Sequence, residues 1–210
     1  MKNLFLILFS MILTSCDFSS QKSTEESNSS IDFTGELKAK SIVENSIKKH
    51  GGDLYSNASY TFDFRGQEYS FNHDKDGYTY SLSWKDEDDT AIEIRLQNEQ
   101  LLKTINNELV QLNQDDISSY REKINSVLFF VLLPFKLEDP NATTTYKGNN
   151  GLAVRFRSFY NRRNVNGIIF QDYNNYTCDP NSSLKEIAEL YENDKLTYVS
   201  KIEIKNIIKY

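Results

Sequence analysis

From Val127 to Leu133 the chain is unbroken apolar, VLFFVLL, and no charge falls between Asn125 and Lys136. Upstream, Ile117, Tyr120, Ile124, Val127 and Val131 recur at steps of three and four, a helical stripe. Asp115 or Asp116 can cap the start of this helix. Pro134 ends it because proline donates no backbone hydrogen bond. The spacing therefore predicts a helix that begins amphipathic and finishes apolar on every side. Such a helix must be wrapped by other elements.

The rest of the chain reads as that wrapper. Tyr60, Phe62 and Phe64 alternate with polar residues, as do Tyr78, Tyr80, Leu82 and Trp84, and then Ile92, Ile94 and Leu96. Period two with one apolar face predicts antiparallel strands covering a core on one side. Turns are expected at 72–77, 85–89 and 106–107. The expected fold class is α+β: a strongly curved antiparallel sheet, a half-barrel, with helices packed on its concave face. Leu37 to His50 is expected to be the first helix, stopped by Gly51-Gly52. Two late strands are expected at Leu152–Tyr160 and Val165–Tyr176, joined through Asn161-Arg162-Arg163-Asn164. A short helix capped by Ser183 and Glu186 follows, then one strand from Leu196 to Ile208.

The first fifteen residues speak to location. Lys2 precedes an apolar run, Leu4 to Leu13, that is too short to span a bilayer and fits a cleaved signal segment. Leu13-Thr14-Ser15-Cys16 then resembles the lipobox of bacterial lipoproteins. The resemblance implies that Cys16 takes a diacylglycerol and becomes the mature N-terminus. The expected organisation is a signal over 1–15, a lipid-anchored tether over 16–35 and one domain over 36–210. The tether is nearly devoid of apolar residues, so it cannot bury enough surface to order itself. Loss of Lys2 leaves 23 basic and 30 acidic residues, a net charge of −7. That balance argues against nucleic-acid binding, which needs a basic footprint.

Motifs for chemistry are sparse. There are two His and no metal-spaced cluster, nucleophile elbow or phosphate loop, so no enzymatic activity and no cofactor are expected. Asn72 to Gly77 imitates the opening of a calcium loop. The position needing a bidentate Glu is Ser83, however, and a turn is the reading. Cys178 beside Asp179 has no base paired with it by motif. Arg155, Arg157, Arg162 and Arg163 form a basic patch in an acidic chain, suited to lipid head groups, to an acidic partner, or to nearby carboxylates. Val127, Phe129, Phe130, Val131, Leu133 and Phe135 are the candidate lining of an apolar cavity; the alternative is that they only fill a core.

Several stretches together resemble an uncharacterised family of Gram-negative lipoproteins that carry a domain of unknown function. These are His50-Gly51-Gly52, then Asn125-Ser126-Val127 through Leu133-Pro134-Phe135-Lys136-Leu137 with Asp139-Pro140. The last runs from Arg155-Phe156-Arg157 through Tyr160-Asn161, Arg163, Asn166-Gly167-Ile168, Phe170 and Asp172-Tyr173 to Asn175-Tyr176. The family is similar in architecture to the lipoprotein-carrier superfamily. The resemblance implies a half-barrel with a hydrophobic cavity, a lipid or other apolar ligand, and a place on the cell envelope, at the outer membrane by preference. An envelope lipoprotein with a purely structural or interaction role is the alternative. Where the family has an extra stretch before the Arg155 strand, this chain has only Asn149-Asn150 before Gly151.

Overall fold

The computed structural model describes residues 25–139, 142, 144, 155–180 and 182–210, with side-chain surroundings from residue 35 onward. The expected signal segment, Cys16, Pro140 and the expected strand start at Leu152 lie outside the described residues. The fold is α+β and its sheets are antiparallel throughout.

The described strands form two sheets where one was expected. β1 (Ser59–Phe64), β2 (Gln67–Asp74), β3 (Gly77–Lys85), β4 (Ala91–Gln97), β5 (Gln100–Ile105) and β6 (Glu108–Val110) run as a meander. The last strand, β10 (Lys205–Lys209), adds beside β1, so the seven-stranded order is β10-β1-β2-β3-β4-β5-β6. β7 (Arg155–Val165), β8 (Ile168–Thr177) and β9 (Thr197–Ile202) form a second sheet in that order. Among the described strands the large sheet does not close on itself: β10 and β6 are its two edges.

The expected single strand from Leu196 to Ile208 is therefore two, β9 and β10, parted at Glu203-Ile204. The physical cause is a polar clamp. Asp172, with 0% exposure, accepts a hydrogen bond from Ile204 N–H at 3.0 Å. Arg163 donates to the Ile204 carbonyl at 2.6 Å and pairs with Asp172 at 3.1 Å. Both backbone groups of Ile204 are thus bonded by side chains, leaving neither for a ladder, and the strand passes from one sheet to the other.

The β7–β8 connection is also displaced from its expected place. Residues 161–164 lie inside β7, which has an irregularity between Tyr160 and Arg163. The turn is Asn166-Gly167, with φ of 52° and 91°. Two positive φ values match the turn that twists with a hairpin, and Asn-Gly is its strongest sequence signal.

Three helices pack on these sheets. In α1 (Glu25–His50) the buried positions are Ala39, Val43 and Ile47, one every four residues, while Leu37 and Ile42 are exposed. The helix starts within the stretch expected to be tether. It ends at Gly51, whose φ is 135°. A Cβ there would meet Ile168 Cγ1 at 3.2 Å and the Gly167 carbonyl at 3.3 Å, so glycine lets the helix end rest on the β7–β8 turn.

α2 (Gln114–Val131) is the predicted central helix. Its cap is Asn113, which accepts from Asp116 N–H at 2.8 Å; Asp115 and Asp116 sit in the first turn, where negative charge suits the helix dipole. Ile124, Val127, Leu128 and Val131 are buried against the large sheet, together with Leu132. That set spans a single face. The expectation of a helix wrapped on every side is not met, because Phe129 is 38% exposed.

α3 (Leu184–Glu192) carries the expected capping box of Ser183 and Glu186. It packs through Ile187 into a separate small cluster with Leu196, Phe156, Tyr176 and Cys178. α2 and α3 thus serve different clusters. The main core takes Tyr60, Phe62, Tyr69, Phe71, Leu82 and Ile94 from the large sheet. Ile168, Phe170, Tyr173 and Ile202 join it from the small one, so both sheets bury apolar area in common.

Candidate functional site: two clefts beside the central helix

The adjacent residues Phe129 and Phe130 are about 100° apart on a helix and reach opposite flanks of α2. Each lines a cleft. Their rings meet edge to face, 5.9 Å between centroids.

The first cleft, about 400 Å³, runs between the two sheets along α2. Phe64 and Tyr69 come from the β1–β2 hairpin, Val127 and Phe130 from α2, and Ile202 from β9. These make an apolar floor. Gln67, Ser126, Asn175 and Ser200 add neutral polar groups, and the charged residues in its lining are Arg65 and Lys123. Arg65 lies over the Phe64 ring at 5.0 Å and Lys123 over Trp84 at 5.2 Å. Neither is ion-paired among the described residues. A smaller adjoining cleft shares Phe64 and Arg65 and contains Asp63 and Glu203 beside Lys201 and Lys205.

In one wall of this cleft, and just beside it, are buried polar atoms with no hydrogen-bond partner among the described residues. Asn175 Oδ1 is one, and Nε of Arg157, its cross-strand neighbour, is another. The Arg157 guanidinium lies over the Phe130 ring at 4.7 Å, and burial draws it below its ordinary pKa. Buried polar atoms in native proteins are as a rule hydrogen-bonded, so these two positions have capacity for a further partner.

The second cleft, about 640 Å³, lies on the Phe129 flank and is lined also by Tyr78, Tyr80, Glu99, Asn125, Lys136 and Asp139. It is the more polar of the two, and its charged side chains have partners. Tyr78 donates to Glu99 at 2.6 Å, Arg121 also pairs with Glu99, and Lys136 lies 3.6 Å from Asp139 and over the Tyr80 ring. Beneath it, His73 Nδ1 is 3.2 Å from the Tyr55 carbonyl and Nε2 is 3.1 Å from the Tyr80 hydroxyl. A carbonyl only accepts, so Nδ1 carries the proton and Nε2 accepts from Tyr80. Burial lowers the His73 pKa and raises that of Tyr80. A Tyr that resists ionisation is poorly suited to act as a base, and this pair reads as a buried structural relay.

The structure divides the sequence-derived candidates. Val127 and Phe130 line the first cleft and Phe129 the second. Val131 is buried in the core; Phe135 is half-buried and stacks on Tyr55; Leu133 is half-buried and lines neither cleft. The four arginines do not form one patch. Arg163 is committed to Asp172 and Ile204, Arg157 covers Phe130, and Arg155 and Arg162 are exposed. Arg65, Lys123 and Asn175 escaped the sequence reading. Arg65-Gly66 could have been read as a turn between two alternating strands, but nothing local shows that this turn faces α2. No family model, curated protein or solved structure matches the chain.

Proposed function

We propose that this protein is a lipid-anchored lipoprotein of the bacterial cell envelope that binds a lipid or other apolar ligand in the cleft between its two sheets. Cys16 carries the anchor, and the outer membrane is the favoured location, on its periplasmic or surface face. The observation that carries the ligand reading is the first cleft: an apolar floor built from Phe64, Tyr69, Val127, Phe130 and Ile202, with Asn175 Oδ1 in its wall unpaired among the described residues. Its volume of about 400 Å³ falls in the range of about 300–1,000 Å³ usual for small-molecule sites. The resemblance to the family similar to lipoprotein carriers points the same way. The lipobox supports the anchor, because two or more chains hold a protein at a bilayer where one binds reversibly.

The test is a native mass spectrum of the protein released gently from membranes. A co-purifying small molecule supports the reading. A clean unliganded mass favours an envelope lipoprotein with a structural or interaction role.

A further inference from the structure

The chemistry of the first cleft narrows its ligand, given the proposed function on which this inference rests. The protein is acidic, with a formal charge of −6, yet the charged groups lining this cleft are two cations, Arg65 and Lys123. Each lies over an aromatic ring, and neither forms an ion pair among the described residues; Asp63 and Glu203 share the adjoining cleft with Arg65 but lie beyond ion-pair distance of it. Arg65 sits at the β1–β2 turn, the tip of one wall, and Lys123 on α2 one turn before Val127. Both long side chains can lay their stems along apolar surface and keep the charge at the water boundary. The apolar floor begins immediately beside them with Phe64 and Val127. A cationic rim over an apolar floor complements a molecule with an anionic head and a hydrocarbon body. The volume suits one chain rather than several.

We propose that the cleft between the sheets binds a single-chain anionic amphiphile, its head held by Arg65 and Lys123 and its chain laid on Phe64, Tyr69, Val127, Phe130 and Ile202. Arg65 has φ 51°, a left-handed conformation in which Asn is well tolerated, so Arg65→Asn removes the charge and keeps the turn.

The experiment compares a dansyl-labelled undecanoate with its methyl ester, titrated into the full chain in zwitterionic nanodiscs with empty discs subtracted. The acid is expected to bind about tenfold tighter than the ester, a gap that narrows with salt. In Arg65→Asn/Lys123→Gln the acid weakens to the level of the ester and the ester is unchanged. Equal binding of acid and ester by the parent protein overturns the anionic-head inference and leaves the ligand-binding reading standing. An acid preference that survives in the double variant overturns the assignment to this cleft. Binding of neither probe overturns the ligand-binding reading itself.

Discussion

The carboxylate of Asp172 accepts a hydrogen bond from the backbone N–H of Ile204 at 3.0 Å, at the point where the chain leaves β9 and enters β10. The strand that joins the two sheets is thus steered by a buried side chain. The wall of the cleft beside α2 depends on that passage, because Ile202 lies two residues before it.

Replacing Asp172 with Ala should therefore be severe. It leaves Arg163 without its carboxylate and the Ile204 N–H without its acceptor, so the carbonyl of Ile204 is held only by an unneutralised guanidinium. Removing one member of a buried pair costs about 3–5 kcal/mol. Arg163 keeps some exposure, so the lower end of that range is expected. Urea unfolding measures it; a loss under about 1 kcal/mol would show that the clamp does not hold the strand.

Much of the large sheet was legible in the sequence because Tyr60, Phe62, Phe64, Tyr80 and Leu82 alternate over one face. The same local logic found α2 and the Ser183–Glu186 box. The sheet switch was not legible: Glu203 and Ile204 continue the alternation of their neighbours, and the partner that breaks it, Asp172, is distant in sequence. The Asn166-Gly167 turn carried a strong signal that the more polar run at 161–164 obscured. The cleft was half legible. Apolar Val127 and Phe130 stand out in any reading, whereas Arg65 and Asn175 join them only through tertiary pairing.

His73 makes stability depend on pH. Its folded pKa is lowered from the ordinary 6.5, first by burial, so the unfolded chain takes up the proton more readily. The contribution is fully present above the unfolded value and is lost as pH falls below about 6.5 toward the lower folded value. Unfolding free energy should drop between about pH 7.5 and about pH 5.5 in the parent protein and change less in His73→Gln. Parallel profiles would count against a neutral buried His73.

Gly51 and Gly52 separate two kinds of glycine requirement. A Cβ at Gly51 meets Ile168 and Gly167, while at Gly52 nothing lies within 4 Å. Both have positive φ, so each alanine should destabilise, by about 1–2 kcal/mol at Gly52 and by more at Gly51. Thermal or urea unfolding of the two variants gives the order directly.

Along α2, truncation should sort by flank. Leu128→Ala is expected to cost about 2–5 kcal/mol, as for a fully buried leucine. Phe129→Ala should cost under about 1 kcal/mol because the ring is partly exposed. Phe130→Ala should fall short of the about 3–5 kcal/mol of a fully enclosed Phe. Full-sized losses at Phe129 and Phe130 would mean that both flanks are packed core.

The proposed anchor at Cys16 has its own test. Cys16→Ala should yield an unprocessed chain that takes up no labelled fatty acid in cells. Incorporation by that variant would remove the lipoprotein reading.

Photo-crosslinking with a diazirine-bearing fatty acid, followed by peptide mapping, locates the bound chain on the protein. For a ligand held between the sheets, the label is expected to concentrate on α2 between Lys123 and Phe130 and on β9 between Ser200 and Ile202. Label confined to α1, or to the polar face of the large sheet around Ser70 and Ser81, would contradict it, as would no label at all.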